Sequence, residues 1–344
     1  MKEYGSDFSF IENFPKGISF KQLYDKSIYY ACGRHALVSL IINNQWKRIW
    51  MPSYFCYEVN DAINNLIKIE YYDDYPLSND NRKISVIPFK KGDVLLRMNY
   101  FGTREFRDES LVPVPVIEDH SHDLIGGWAK NSNADWCYAS LRKTLPLSEG
   151  GVLWSPKSLS LPDNPIQTKE NLSLVEKRFE AMRLKSEYLA GENVSKELFR
   201  SLYISTEKEF ESLPLSQIST DSWSLLNELD IRDWYQKKQD NWKYLSDIEN
   251  EDVKIITPEN QKCNMFSLIL MFANNKERER VREILINRLN IYPAILWNVP
   301  NFQYPSSIDF SETMLSIHCD ARYYNDLEDL RQRIITAIYL AREK

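Results

Sequence analysis

A chain of 344 residues, 43% hydrophobic and 27% charged, has the composition of an ordinary globular protein, long enough for two domains or for one large α/β domain with an appendage. Its net charge of −6 leaves no electrostatic footprint for nucleic acid or an anionic membrane surface, and no segment approaches the roughly 20 apolar residues that span a bilayer. Residues 1–7 lack a hydrophobic signal core, and the five cysteines (Cys32, Cys56, Cys137, Cys263, Cys319) form no Cys-x-x-Cys pair, so a cytoplasmic protein with reduced thiols, no disulfide frame and no metal is expected.

The first periodic element is Arg34–Asn43, where Ala36, Leu37, Leu40 and Ile41 make a helical stripe. Gly33 lets the backbone ahead of it approach an anion, the helix start offers unpaired N–H groups and a positive dipole end, and Arg34 adds charge. Taken alone, these residues read first as the start of an ordinary helix. Candidate strands follow at Arg48–Met51, Ile67–Tyr72, Val94–Asn99, Pro113–Ile117, Trp136–Ala139 and Val152–Trp154, with a polar turn at Asn79–Lys83. Such alternation predicts an α/β fold with a mainly parallel sheet, covered by helices on both faces and binding ligands at the carboxyl ends of its strands. Asn99, Asp119 and Lys143 fall at that edge.

The apolar run from Val114 ends in Asp119. A carboxylate at a strand end is either a cap or a partner that keeps a pyridine nitrogen protonated and turns the ring into an electron sink. His122, three residues on, can hydrogen-bond the phenolic oxygen of such a ring or stack near it. The i, i+2 spacing of His120 and His122 would put both on one strand face, a pattern open to a metal pair, but Asp119 offers a better use for the segment. After Ala139 come Ser140, Arg142, Lys143 and the pair Gly150-Gly151. Lys143 is either a solvated loop lysine or a Schiff-base lysine, since a partly desolvated lysine loses its proton and attacks carbonyls as arginine does not. Ser140 would then serve the phosphate.

From Thr168 to Leu245 the pattern is helical, and a change of texture at Ser246–Glu251 divides a large domain, 1–245, from a small α+β domain, 246–344. The latter holds a strand at Met265–Phe272, a helix at Asn275–Leu289 and a strand at Met314–His318. Its last helix opens with Asn325 and Glu328 spaced as a capping box and carries an apolar stripe of Leu327, Leu330, Ile334, Ala337 and Ala341. Arg322, just ahead of it, is either a surface arginine or a bidentate holder of a substrate carboxylate.

A helix-start phosphate cradle, a strand-end acid and a strand-end lysine, in that order, are the parts of a fold type I pyridoxal-phosphate enzyme. The chain resembles the DegT/StrS-type sugar aminotransferases through Cys32–Leu37, Met51–Cys56, Asn99–Gly102, Glu118–His122 and Ser140–Gly151, with a weaker echo at Ile317–Tyr323. The resemblance implies a large domain with a mainly parallel seven-stranded sheet and a smaller C-terminal α+β domain. It implies Lys143 as Schiff-base lysine and proton shuttle, Asp119 as pyridine partner, His122 as ring contact, and Gly33, Arg34 and Ser140 as phosphate contacts. The expected cofactor is pyridoxal 5'-phosphate, and the expected partners are an amino donor such as L-glutamate, a keto-sugar nucleotide, and a second copy in a homodimer. A sugar dehydratase or a non-catalytic, ligand-binding regulator are the alternatives, and retention of Lys143 counts against the first. Two features depart from the family. Cys56 stands where an aromatic residue covers the cofactor ring, leaving Tyr54, Phe55 or Tyr57 to substitute, and no Gly-Tyr-Asn-x-Arg stretch precedes Ile218-Ser219.

Overall fold

The computed structural model describes residues 2–5, 7–12, 16–24, 26–78, 80–248 and 253–342. Its strands are β1 (Tyr4–Gly5), β2 (Ser27–Tyr30), β3 (Arg48–Pro52), β4 (Lys68–Tyr72), β5 (Asp93–Met98), β6 (Val116–Asp119), β7 (Trp136–Ser140), β8 (Gly151–Trp154), β9 (Lys254–Ile255), β10 (Ser267–Met271), β11 (Ile291–Tyr292) and β12 (Met314–His318). Seven of them form one sheet in the order β2-β8-β7-β6-β5-β3-β4. Strands β3 to β7 run parallel, and β8 is antiparallel to both of its neighbours.

The side-chain alternation along these strands explains why both faces are covered. Trp50, Leu95, Val116 and Ala139 enter one apolar cluster, together with Met182, Phe199 and Trp234 from the helices Lys169–Ala190, Lys196–Ser212 and Ile231–Leu245. Ile49, Met51, Val94, Leu96 and Ile117 enter the other, against Ala36, Leu37 and Leu40 of the helix Gly33–Asn44. All six residues of β5 are buried, as a central parallel strand requires. A second, antiparallel sheet, β12-β10-β9, packs with the helices Asn275–Leu289 and Leu327–Leu340 around a third core. The N-terminal β1 pairs with β11.

Several boundaries differ from expectation for local reasons. Strand β6 begins at Val116 rather than Pro113 because Pro113 and Pro115 have no N–H to give a ladder; Pro115 contributes only its carbonyl, to Leu95 N–H at 2.9 Å. Residues 80–84 form a short helix instead of a turn. The capping box at Asn325 and Glu328 does not form: Asn325 ends a 3-10 turn, and Asp326 is the N-cap residue without a side-chain cap bond. Strand β2 escaped the periodicity reading altogether. The expected boundary at 246–251 runs partly onto residues 249–251, which lie outside those described.

Candidate active site

A cleft opens at the carboxyl ends of β6 and β7, where the helix Gly33–Asn44 begins. Gly33, Arg34, Asp119, His122, Ser140 and Lys143 all line it. Close backbone packing builds its floor. A Cβ on Gly33 would lie 3.1 Å from the backbone N and the Cβ of Ser140, and one on Gly151 would lie 2.3 Å from the carbonyl carbon and oxygen of Cys32. The helix start is therefore pressed onto the end of β7, with its first N–H groups beside Ser140.

Asp119 ends β6, opposite Met98 on β5 and Tyr138 on β7. One carboxylate oxygen accepts from Ser121 N–H at 2.8 Å. Burial pushes the Asp119 pKa up, and the Ser121 contacts offset only part of this. An anion so placed gains from a cation brought against it. The buried Tyr138 hydroxyl makes no hydrogen bond of ordinary geometry.

His122 is fixed in one tautomer. Phe101 N–H donates to its Nδ1 at 3.0 Å, so the ring proton resides on Nε2. The ring stacks with Phe266 at 4.4 Å, Phe101 at 5.2 Å and Trp297 at 5.4 Å. Burial, and then the Lys143 charge, push its pKa down to about 3. It is a neutral N–H donor. His120 goes elsewhere because β6 stops at Asp119 and the chain turns, with Asp123 N–H bonded to the His120 carbonyl at 3.1 Å. The His120 ring meets Glu118 at 2.8 Å, in a buried network that includes Trp128 Nε1 on Glu118 at 2.8 Å and the Cys137 thiol at 3.5 Å. The two histidines do not share a face.

Lys143 closes the 3-10 turn Leu141–Lys143 after β7 and extends into the cleft. The adjacent Arg142 charge, and then partial loss of hydration, lower its pKa from the usual lysine value, although the side chain remains exposed at the cleft mouth. Arg142 donates to Glu207 at 2.6 Å and lies over the Phe210 ring at 4.7 Å. Arg178 donates to the other Glu207 oxygen at 3.2 Å and to Asp7 at 3.2 Å. Burial alone would raise the Glu207 pKa, but Arg142, Lys143 and Arg178 together hold it well below the carboxylate range. Sequence reasoning missed this cluster. The pairing of Arg142 with Glu207, 65 residues away, left no local signal.

Arg322 does not join the cleft. Its guanidinium is bound to Asp320 and to Ser9 Oγ at 2.7 Å, in a neighbouring cavity lined also by Asp7, Lys185 and His318. Cys56 does line the cleft, with Phe55 next to it, while Tyr54 packs against Phe310 and Tyr57 against Tyr71 and Phe302. Phe55 is thus the residue of the three that reaches the cleft wall.

The donor set fits pyridoxal phosphate. The glycine-lined helix start with Arg34 and Ser140 suits a phosphate, Asp119 a protonated pyridine nitrogen, the His122 Nε2–H a phenolate oxygen, and Lys143 a carbonyl carbon.

No family model matches the chain, and no curated protein matches it by sequence. Solved structures do match in fold. An aminotransferase, TlmJ, from Streptoalloteichus hindustanus has a TM-score of 0.65 at 10% identity, covering 98% of this chain and 100% of that one. PseC of Helicobacter pylori, an aminotransferase involved in the biosynthesis of pseudoaminic acid, has a TM-score of 0.60 at 12% identity, with 98% and 100% covered. A DegT DnrJ EryC1 StrS aminotransferase from Brucella abortus has a TM-score of 0.60 at 12% identity, with 96% and 92% covered. The chain has the fold of the type I pyridoxal-phosphate aminotransferases over nearly its whole length.

Proposed function

We propose that this protein is a pyridoxal-phosphate-dependent aminotransferase of the DegT/StrS type, working as a cytoplasmic homodimer. It moves an amino group from an amino acid, L-glutamate foremost, to a keto-sugar nucleotide or a related ketone. The observation that carries this proposal is the convergence of Lys143, Asp119 and His122 on one cleft with Gly33, Arg34 and Ser140. The sugar class is supported by the company of the fold, which includes PseC and DesI, the latter solved in the presence of its TDP-sugar product.

Pyridoxal phosphate, when bound, supplies an electron sink for the carbon that carries the migrating amino group. The protein does the rest. Arg34, Ser140 and the first N–H groups of the helix Gly33–Asn44 hold the phosphate. Asp119 would keep a proton on the pyridine nitrogen, an ion pair that would offset the cost of its own burial. His122 donates from Nε2 and stays uncharged at neutral pH. Lys143 would hold the group's carbonyl carbon through Nζ and, when free, would act as the base and acid that moves a proton off and onto the carbon bearing the migrating amino group. The Arg142 charge brings its pKa down towards the working pH, as a proton shuttle requires.

The test is spectroscopic. Protein purified with pyridoxal phosphate should show a visible band that L-glutamate abolishes as 2-oxoglutarate forms, and Lys143→Ala should lack that band. A cofactor-loaded protein inert to a panel of amino acids would refute the assignment.

A further inference from the structure

Beyond Lys143 the cleft continues into a second chamber of about 360 Å³, which shares Arg142, Lys143, Phe266 and Leu296 with the first. Arg178 joins Arg142 on its wall, and both side chains are at least nine-tenths buried, with 4% and 9% exposed. Three cations therefore meet here. Two carboxylates answer them: Glu207, which bridges the arginines, and Asp7, which is 39% exposed. His318, also on the wall, adds no charge at neutral pH, because burial pushes its pKa down to about 4. One positive charge is left over only while Lys143 is a free ammonium; with that lysine engaged by the cofactor the two arginines and two carboxylates balance, and the wall's hold on an anion rests on guanidinium donors.

The guanidiniums also have donors to spare. Arg142 places one hydrogen bond on Glu207, and Arg178 places three, on Thr206, Glu207 and Asp7. The Nε of each is buried without a hydrogen-bond partner. A guanidinium offers five N–H groups in a fork that matches a carboxylate. Phe8, Leu147 and Met182 supply apolar surface on the same wall, suited to a short carbon chain.

Resting on the aminotransferase assignment, we infer that Arg142 and Arg178 hold the carboxylate of the amino-acid donor, and of the keto acid it becomes, in this second chamber. The acid would then be bound by residues following β7 and on the helix Lys169–Ala190, and Arg322 takes no part in holding it.

Calorimetric titration of the cofactor-loaded protein with glutarate, an unreactive dicarboxylate, tests this directly. Glutarate should bind the wild type, and Arg178→Gln and Arg142→Gln should each weaken it tenfold or more. Arg178→Lys should recover part of the loss, and the cofactor absorbance should keep its wavelength in both Arg178 variants, whereas Arg142→Gln also removes the charge beside Lys143. Circular dichroism separates a folded variant from a collapsed one, and the two arginines give independent readings. Failure of glutarate to bind the wild type, or binding to both Gln variants within twofold of it, would overturn the inference. The two proposals fail separately. Arginine-dependent glutarate binding without conversion by L-glutamate removes the aminotransferase assignment and leaves an acid-binding site. Conversion by L-glutamate with an unchanged half-saturating concentration in both Gln variants keeps the enzyme and removes the acid site.

Discussion

The backbone N–H of Phe101 donates to His122 Nδ1 at 3.0 Å, and that single bond decides what the imidazole can do. With Nδ1 occupied as an acceptor, Nε2 is the donor, and stacking against Phe266 and Trp297 leaves no room for a solvated cation. His122→Gln, which preserves an N–H donor, should retain a substantial part of the activity. His122→Ala should lose about 10- to 100-fold in kcat, the equivalent of one charge-assisted hydrogen bond. The pKa of about 3 also has a stability consequence. The folded state resists the proton that the unfolded chain takes up near pH 6.5, so this contribution is complete above that pH and is lost as pH falls towards 3. Chemical denaturation of wild type and His122→Gln between pH 4 and 7 should show a shallower acid loss in the variant.

Gly33 and Gly151 predict unequal outcomes for one chemical change. A methyl on Gly33 meets Ser140 at 3.1 Å, a contact that a few tenths of an ångström of adjustment relieves. A methyl on Gly151 meets the Cys32 carbonyl at 2.3 Å and Gly33 N at 2.7 Å, all of it backbone. Gly33→Ala should fold and bind pyridoxal phosphate more weakly, because the cradle is displaced. Gly151→Ala should cost about 3 kcal/mol or more of stability, at the upper end for overpacking. Urea midpoints and cofactor titrations distinguish the two.

Much of this was legible in the chain. The central strands between Arg48 and Trp154 announced themselves because both faces of the sheet are buried there, which makes them apolar runs between polar segments, while the edge strand β4 keeps Lys68 exposed and only Tyr72 buried. Gly33, Asp119 and Lys143 were legible for a related reason, since each sits where such a run begins or ends. Strand β2 was not. Its four residues, Ser27 to Tyr30, merge with the apolar Ala31-Cys32 that leads into the next helix, and no polar break marks its end. The Arg142–Glu207–Arg178 cluster was illegible on principle, because its members are brought together by the packing of separate elements. Arg322 illustrates the converse. An arginine just ahead of a helix looks available in a sequence, and only the fold reveals Asp320 and Ser9 as its partners.

That arginine therefore predicts a structural rather than a kinetic phenotype. Asp320 is 1% exposed, and its pKa falls to about 2 because Arg322 overrides the upward push of burial. Arg322→Gln strands a buried carboxylate; because the arginine is 30% exposed the loss should fall below the about 3–5 kcal/mol of a fully buried pair, with the KM for amino acid unchanged in whatever fraction folds. Pairing it with Asp320→Asn should restore much of the stability. A raised KM with normal stability would place Arg322 in the substrate site instead.

Glu149, just ahead of Gly150-Gly151, predicts a pH dependence of the opposite sign to that of His122. One oxygen accepts from Ser219 N–H at 2.6 Å, and the other is buried without a partner. Burial raises its pKa to about 7, so the lone oxygen holds a proton in the folded state. Between roughly pH 4.3 and 7 the folded chain binds a proton that the unfolded chain has released, and stability declines as pH rises through that window. The loss by pH 8 is on the order of 3 kcal/mol for a group shifted this far. Glu149→Gln keeps the acceptor and abolishes the titration. Its unfolding free energy should fall less than that of the wild type between pH 5 and 8, and the variant should be the more stable protein at pH 8.

Lys238 is a buried cation without a hydrogen-bond partner. It lies on the helix Ile231–Leu245, and the rings of Tyr235 and Phe266 are 5.5 and 5.4 Å from its ammonium. Phe266 is the same ring that stacks on His122, so the buried cation stands behind the wall of the candidate site. Burial brings its pKa down to about 8. Both folded and unfolded chains carry the proton at pH 7, but the folded chain carries it at a cost on the order of 3 kcal/mol. Stability should accordingly rise with pH between about 8 and 10.4, where the unfolded chain still binds a proton that the folded chain has given up. Lys238→Met preserves the shape and removes the charge, and should stabilise the protein at pH 7 while flattening that alkaline rise. The same substitution takes a cation from behind Phe266, which eases protonation of His122, so the acid limb of the pH–rate profile should move up in the variant. A Lys238→Met protein less stable than wild type at pH 7 would mean that the ammonium is satisfied in solution, and that the lysine supports the fold instead of straining it.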